Sequence, residues 1–318
     1  MNIQKKLVFK KTWLVTGVAG FIGSNTAEFL LKYKQNVIGL DNLITGSKKN
    51  LIKLKKYKNF RFIKHDLNKR ILINKKIDFC IHMAALNSVP RSFDNPNQVL
   101  KNNISSLLNI ILFCKYKKIK KLIYASSSSV YGEVVKGKKK ETQKLKPISP
   151  YAISKVTNEL LADIYADKNF KCVGLRFFNI YGYNQKNDIK YSAVLPSWIR
   201  SLKKNNKINV FGNSLREFCY IDDAIKSILL SVFINLKNNH EVFNISGGKG
   251  VKLKDFAKKF KSVFGNKKTQ IILKKTRHRD IKIAKANLIK TKKYIGFKPS
   301  INIISGLIAT QKKLNNND

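Results

Sequence analysis

The 318-residue chain is 43% hydrophobic, enough for a sizeable core built as one large or two smaller units, and it carries a formal charge of +46. Only 8 of its 64 basic residues are Arg, and Lys, Asn and Ile share A/T-rich codons. The charge therefore reads as a solvated, composition-biased surface rather than a specific nucleic-acid interface, which would draw on arginine forks.

Other classes are disfavoured on similar grounds. No apolar run reaches the roughly 20 residues of a membrane span, and Lys10 and Lys11 interrupt any leader-like segment. The four Cys (Cys80, Cys114, Cys172, Cys219) and four His (His65, His82, His240, His278) are scattered, with no CxxC pair and no metal-ligand spacing. A reduced, cytoplasmic protein is expected, with no metal, no specific nucleic acid and no membrane insertion.

Along the chain, Thr12 to Thr16 reads as a strand ending at a glycine cluster, and Phe21 to Leu31 has helical spacing. Asn36 to Leu40, Phe60 to Lys64, Ile77 to His82, Lys121 to Ala125 and Lys171 to Arg176 read as further strands. Helical patterns lie among them, notably Asn97 to Tyr116 and Pro150 to Ala166. This alternation predicts an α/β fold, a Rossmann-like doubly wound parallel sheet. After Asn179 the pattern becomes irregular, which predicts a smaller C-terminal α/β domain interleaved with the first. The expected division is residues 1–178 for a dinucleotide-binding domain, with segments near 220–246 returning to it, and 179–318 mainly for substrate.

The turn between the first strand and helix is Thr16-Gly17-Val18-Ala19-Gly20-Phe21-Ile22-Gly23. Gly17 permits the tight turn, Gly20 lets a pyrophosphate approach the backbone, and Gly23 lets helix and strand pack closely; Phe21 and Ile22 open the helix whose free N–H groups face the phosphates. Asp41, with Asn42, ends the second strand, where a carboxylate accepts from the adenosine ribose and repels a 2′-phosphate, so NAD is favoured over NADP. A turn-capping Asp is the alternative there. Asp66, followed by Leu67, either meets the adenine edge or caps a helix.

Ser149-Pro150 is a helix start, which places Tyr151 and Lys155 at i and i+4 on one face. An ammonium beside a phenol is expected to lower its pKa toward neutrality, which suits a general base for a sugar hydroxyl. Upstream, Ser126, Ser127, Ser128 and Ser129 stand at the carboxyl end of a strand, where open α/β sheets bind ligands and where four serines are poor core material.

Together these blocks resemble the extended short-chain dehydrogenase/reductase (NAD-dependent epimerase/dehydratase) family. Within it, the chain is similar to bacterial UDP-N-acetylglucosamine/UDP-N-acetylgalactosamine(uronate) 4-epimerases. The resemblance runs from about Thr12 to Pro299 through TGVAGFIGSN, GLDNLITG, IHMAAL-SVPRS, YASSSSVYGE, SPYAISK, GLRFFNIYG, AVLPSW and REFCYIDD. It implies Ser127, Tyr151 and Lys155 as the catalytic set, with Lys155 also on the nicotinamide ribose. It implies Gly46, Ala84 and Ala85 on the NAD side. On the sugar-nucleotide side it implies Ser88, Arg91, Ser128, Ser129 and Asn179 near the sugar, and Ala193, Val194 and Trp198 as the uridine-side wall. Arg216 and Arg277 would clamp the diphosphate, Asp280 would hold the ribose, and Ala284 would gate the space for the sugar's 2-substituent. An arginine pair suits a diphosphate through forked, charge-assisted hydrogen bonds. A homodimer is implied, pairing the helices near Asn97 to Tyr116 and Pro150 to Ala166.

Two departures stand out. Arg277-His278-Arg279-Asp280 replaces the family's Arg-x-Gly-Asp, and the loop before Arg216 is about two residues short. The expected activity is 4-epimerisation of a UDP-N-acetylhexosamine or its uronate, with UDP-glucose or UDP-glucuronate as alternative substrates. Dehydratase relatives carry Asp and Glu where this chain has Ser128 and Ser129, which cannot do that acid–base work. A non-catalytic NAD- or RNA-binding protein on the same fold would have no need of Ser127, Tyr151 and Lys155 together.

Overall fold

A computed structural model of the chain describes residues 3–133, 137–185, 191–276 and 281–315. The strands of the first half are β1 (Thr12–Thr16), β2 (Asn36–Asp41), β3 (Phe60–Lys64), β4 (Phe79–His82), β5 (Lys121–Ser127) and β6 (Lys171–Phe177). Those of the second are β7 (Asn179–Tyr181), β8 (Lys207–Phe211), β9 (Leu215–Tyr220), β10 (His240–Ile245), β11 (Gly250–Lys252), β12 (Gln270–Lys274) and β13 (Ile283–Ala284).

Seven strands form one parallel sheet in the order β10-β6-β5-β4-β1-β2-β3. Alternate residues of each strand serve opposite faces. On one face Trp13 and Val15 join Ala27 and Leu30 of the Phe21–Lys32 helix and Ile225 and Ile228 of the Ile221–Phe233 helix. On the other, Leu14, Cys80 and Leu122 join Leu107, Ile110 and Ile111 of the Pro96–Tyr116 helix and Ala162 of the Pro150–Tyr165 helix. Burial on both faces is why these strands read as continuous apolar runs.

After β6 the chain leaves the sheet for β7, β8 and β9, then returns through the Ile221–Phe233 helix to β10. A smaller sheet has the order β11-β9-β13, with β7 also paired to β9, and β8 pairs with β12 beside it.

Element bounds depart from the sequence expectation at two informative places. β4 begins at Phe79 rather than Ile77, because Asp78 is used to anchor the edge of β1: its Oδ2 accepts from Thr12 N at 2.8 Å. β5 runs on through Ser126 and Ser127, which pair with Arg176 and Phe177 of β6. Both serines thus sit on ladder-held backbone.

From β1 the chain winds out to β3, then returns to β4 on β1's other side. That reversal parts the connections leaving the carboxyl ends of β1 and β4 and opens a crevice between them. Away from it, the two long helices that pack together leave an apolar stripe uncovered. Leu112 and Tyr116 are exposed on one helix, and Ile153, Leu160 and Ile164 on the other. No helix among the described residues is long and apolar enough to cross a membrane.

Candidate active site

The cleft at the switch point has a volume of about 610 Å³. Its floor is the glycine turn. Gly17 has φ +66°, a left-handed conformation, and a Cβ there would stand 2.7 Å from Ala84 N. Gly20 N donates to Gly17 O at 2.9 Å, and a Cβ on Gly23 would lie 2.2 Å from the same oxygen. The helix opens at Phe21 with no side chain capping it, so its first N–H groups remain for an anion. A turn with no room for side chains, next to uncapped donors, fits a dinucleotide pyrophosphate.

Gly17, Gly20, Phe21, Ile22, Gly23, Asp41, Asn42, Leu67, Ala84 and Ala85 all line this cleft, as do Ser88, Arg91 and Ala193 from the sugar side. Asp41 is nearly buried; its Oδ2 accepts from Ala19 N at 3.0 Å and its Oδ1 from Leu43 N at 2.8 Å. It therefore shapes the turn as well as facing the cleft. Gly46 packs on Asp41. Asp66 accepts at Oδ1 from Asn68 N (3.0 Å) and Asn68 Nδ2 (2.9 Å), a turn cap, while its neighbours His65 and Leu67 reach the cleft wall.

The chemistry-bearing side chains converge one layer behind that wall. Tyr151 is buried against Leu86, Val89 and Val99, and the Ser127 side chain acts on its phenol, opposing the upward push of burial. Ser127 Oγ accepts from Ser129 N at 3.1 Å and from Ser129 Oγ at 2.9 Å, which leaves its own proton for the Tyr151 oxygen. Ser128 and Ser129 begin the short helical turn capped by Ser127. Lys155 Nζ donates to Ala125 O at 2.8 Å and lies 5.8 Å from the Tyr151 ring centre.

Burial dominates the electrostatics. It pushes Tyr151 up to about 12, against the smaller lowering from Ser127. It brings Lys155 down to about 8, opposed by the charge of Glu159. The expected lowering of Tyr151 toward neutrality is therefore corrected for the chain alone, where phenol and ammonium are the forms at neutral pH. His82 shares a 2.8 Å hydrogen bond with Thr16 and is held neutral, pushed down to about 3 by burial and then by Lys155.

The remaining sugar-side residues are not among those that line this cleft. Asn179 Nδ2 donates to Glu217 O at 3.3 Å, and Arg216 lies on β9 between Val251 and Ala284. Ala284 is buried with Val130, Tyr131 and Phe178, beside the serine turn. Val194 is the first residue of the Val194–Asn205 helix. Trp198 belongs to the core instead of the expected wall: its Nε1 donates to Asn209 O at 2.8 Å and its ring packs on Phe256 and Phe260. Arg277 and Asp280, with Arg279, lie outside the described residues.

Sequence reasoning missed several cleft residues, among them Asn102, Ser106, Gln185, Tyr191 and Arg200. Arg200 carried a signal, since Arg is rare in this chain. Arg91, another of the few, lies with its guanidinium 4.6 Å from the Tyr191 ring centre, and Tyr191 Oη donates to Asp94 at 2.8 Å. Among the described residues no group of three or more His, Cys, Asp or Glu could hold a metal.

Comparison with known proteins agrees with this geometry. Residues 13–246 match the NAD dependent epimerase/dehydratase family. A UDP-glucuronate 4-epimerase of Thermodesulfobacterium geofontis is 33% identical, over 94% of each chain. The UDP-N-acetylglucosamine 4-epimerase of Methanobrevibacter ruminantium, solved with UDP-N-acetylmuramic acid, superposes with a TM-score of 0.89 at 31% identity, covering 97% of this chain and 99% of that one. The UDP-glucuronic acid 4-epimerase of Bacillus cereus, solved with UDP-glucuronic acid and NAD, gives 0.84 at 28% identity, covering 96% and 99%.

Proposed function

We propose, from the premise that the chain belongs to the NAD dependent epimerase/dehydratase family, that it interconverts the C4 epimers of a UDP-N-acetylhexosamine or its uronate. At the coarser level the chain is an NAD-dependent nucleotide-sugar 4-epimerase, an isomerase. The observation that carries the mechanism is the Ser127–Tyr151 contact with Lys155 beside it, one layer behind a cleft floored by a glycine turn.

Gly17, Gly20 and Gly23, with the Phe21 and Ile22 N–H groups, would hold the pyrophosphate of NAD, and Asp41 the adenosine ribose. Bound NAD supplies a hydride acceptor for the sugar's C4 and returns the hydride, so no net redox change results. Tyr151, once ionised to the phenolate with its own proton released to solvent, takes the C4 hydroxyl proton, directly or through Ser127, and gives it back after the 4-keto sugar has turned over. The Lys155 ammonium stabilises the phenolate that forms. Burial holds Tyr151 protonated at neutral pH, so the phenolate that the step needs depends on stabilisation by neighbouring groups. Arg216 serves the diphosphate. Residues through 178, with the helix and strand near 220–246, form the cofactor unit, and most of 179–318 the sugar-nucleotide unit.

The choice of an N-acetylated sugar rests on Ala284. It packs beside Val130 and Tyr131, directly after the serine turn, and a methyl group there takes up far less room than a tyrosine ring would. The relatives named UDP-glucuronate 4-epimerases favour a second reading, in which the 2-substituent is a hydroxyl and the sugar is plain glucose or glucuronate.

We also propose a homodimer. Leu112, Tyr116, Ile153, Leu160 and Ile164 form an exposed apolar stripe on two adjacent helices, a surface suited to an isologous helical contact.

Three expected outcomes follow from this reading. Tyr151→Phe should keep its NAD and lose turnover by about 10²–10⁴, the span of a lost acid–base group; near-normal turnover would refute the role. The ratio of kcat/KM for UDP-GlcNAc over UDP-glucose should be at least about one in the wild type and fall in a folded Ala284→Tyr variant. A wild type that strongly prefers UDP-glucose removes the gate assignment, even if the variant does not fold. Light scattering at micromolar concentration should give a dimer, and Leu160→Lys should shift it toward monomer; a wild-type monomer contradicts the assembly.

A further inference from the structure

The end of β5 is tied to the Pro150–Tyr165 helix at three successive turns. Ser127 meets Tyr151, Ala125 O accepts from Lys155, and Ser126 Oγ donates to Glu159 Oε1 at 2.5 Å. Tyr151, Lys155 and Glu159 are spaced i, i+4 and i+8, so they share one helical face. Glu159 is itself buried and held by a fork from Arg176 of β6, with Nε at 2.9 Å from Oε1 and Nη2 at 2.7 Å from Oε2. Arg176 Nη1 also donates to Tyr131 Oη at 2.9 Å, just past the serine turn.

We propose that Glu159, clamped by Arg176, is a positioning residue for the reaction: it fixes Ser126, so that the adjoining Ser127 meets Tyr151, and it is the counter-charge of the buried Lys155 ammonium. The consequence for catalysis rests on the epimerase reading given above; the electrostatic part does not.

A buried ion pair offers little net stability compared with apolar residues of the same volume, so stability alone does not explain this pair. Its placement does more. Ser126 and Ser127 are neighbours on one strand, so holding the first sets the direction of the second. The titratable groups that bear on Lys155 are Tyr151 and Glu159 on its own helix and His82 of β4. Of these Glu159, ion-paired with Arg176, is the one anion, since His82 is neutral and burial holds Tyr151 protonated. Its charge is what opposes the downward pull of burial on Lys155, which settles at about 8. Neutralising Glu159 therefore lowers the Lys155 midpoint further, and the ammonium is lost at a lower pH. Arg176 cannot replace this effect, because its own charge acts in the opposite sense.

Glu159→Gln keeps the shape and one acceptor oxygen while removing the charge. The first readout needs no turnover: titrate the Lys155 ammonium by ¹⁵N-lysine NMR, assigning it with Lys155→Met. The Lys155 midpoint should fall by about half a pH unit or more in Glu159→Gln. An unchanged midpoint overturns the proposal. The second readout is the alkaline limb of kcat for a UDP-sugar the wild type converts, which should move the same way with KM little changed. A purely structural role would lower Tm and leave both midpoints in place. Should Glu159→Gln not fold, Ser126→Ala decides: kcat about tenfold lower or worse at unaltered KM supports the positioning, and wild-type kcat overturns it. Absence of any wild-type epimerisation would defeat the earlier reading while the NMR midpoint still judged this one.

Discussion

The Phe21–Lys32 helix can start where it does only because Gly23 has no side chain. Its Cα side faces Gly17 O so closely that a Cβ would lie 2.2 Å from that oxygen. The same turn presses Gly17 against the backbone of Ala84 beyond β4. These two approaches set the distance between the ends of β1 and β4, and hence the width and position of the cleft. A larger residue at either point would push the helix off the strand and move its uncapped N–H groups away from where a pyrophosphate would sit. Asp41 depends on this arrangement too, since Ala19 N, inside the turn, is one of its donors.

Behind the cleft a different constraint operates, the cost of ionising groups away from water. Burial favours neutral forms, so it drives the Tyr151 phenol up and the Lys155 ammonium down. At neutral pH this leaves a protonated phenol beside a charged partner, so Tyr151 has to give up its own proton before it can accept one from the sugar. The fold limits the penalty with few groups. Ala125 O receives the ammonium, Ser127 addresses the phenol oxygen, and the Glu159–Arg176 pair supplies a fixed charge on the same helical face. His82, next in line, stays neutral and adds no competing cation.

Much of the first half was legible in the sequence because local physics decides it. Apolar runs such as Thr12–Thr16 and Asn36–Asp41 have the length of buried strands, and the glycine turn between strand and helix has a steric meaning that needs no tertiary information. The second half was less legible. β7, β11 and β13 are very short, and their pairing with β9 depends on residues far apart in the chain. Trp198 illustrates the difficulty: its identity suited a ligand wall, but Phe256 and Phe260, supplied by a distant helix, and Asn209 take up its surface and its N–H. Glu159 and Arg176 went unnoticed for the opposite reason. Each sat inside an unremarkable helix or strand pattern, although an arginine within an otherwise apolar strand demands a buried partner.

The central claim is that C4 is oxidised and reduced in place, with the same hydride leaving and returning. Its most direct test is to supply UDP-GlcNAc carrying deuterium at C4 and follow the sugar by NMR until the epimers equilibrate. The account predicts that both epimers retain the deuterium at C4, with no wash-out to solvent and no accumulation of reduced cofactor. Loss of the label to water, or recovery of the starting sugar alone from a panel of UDP-sugars, would contradict it.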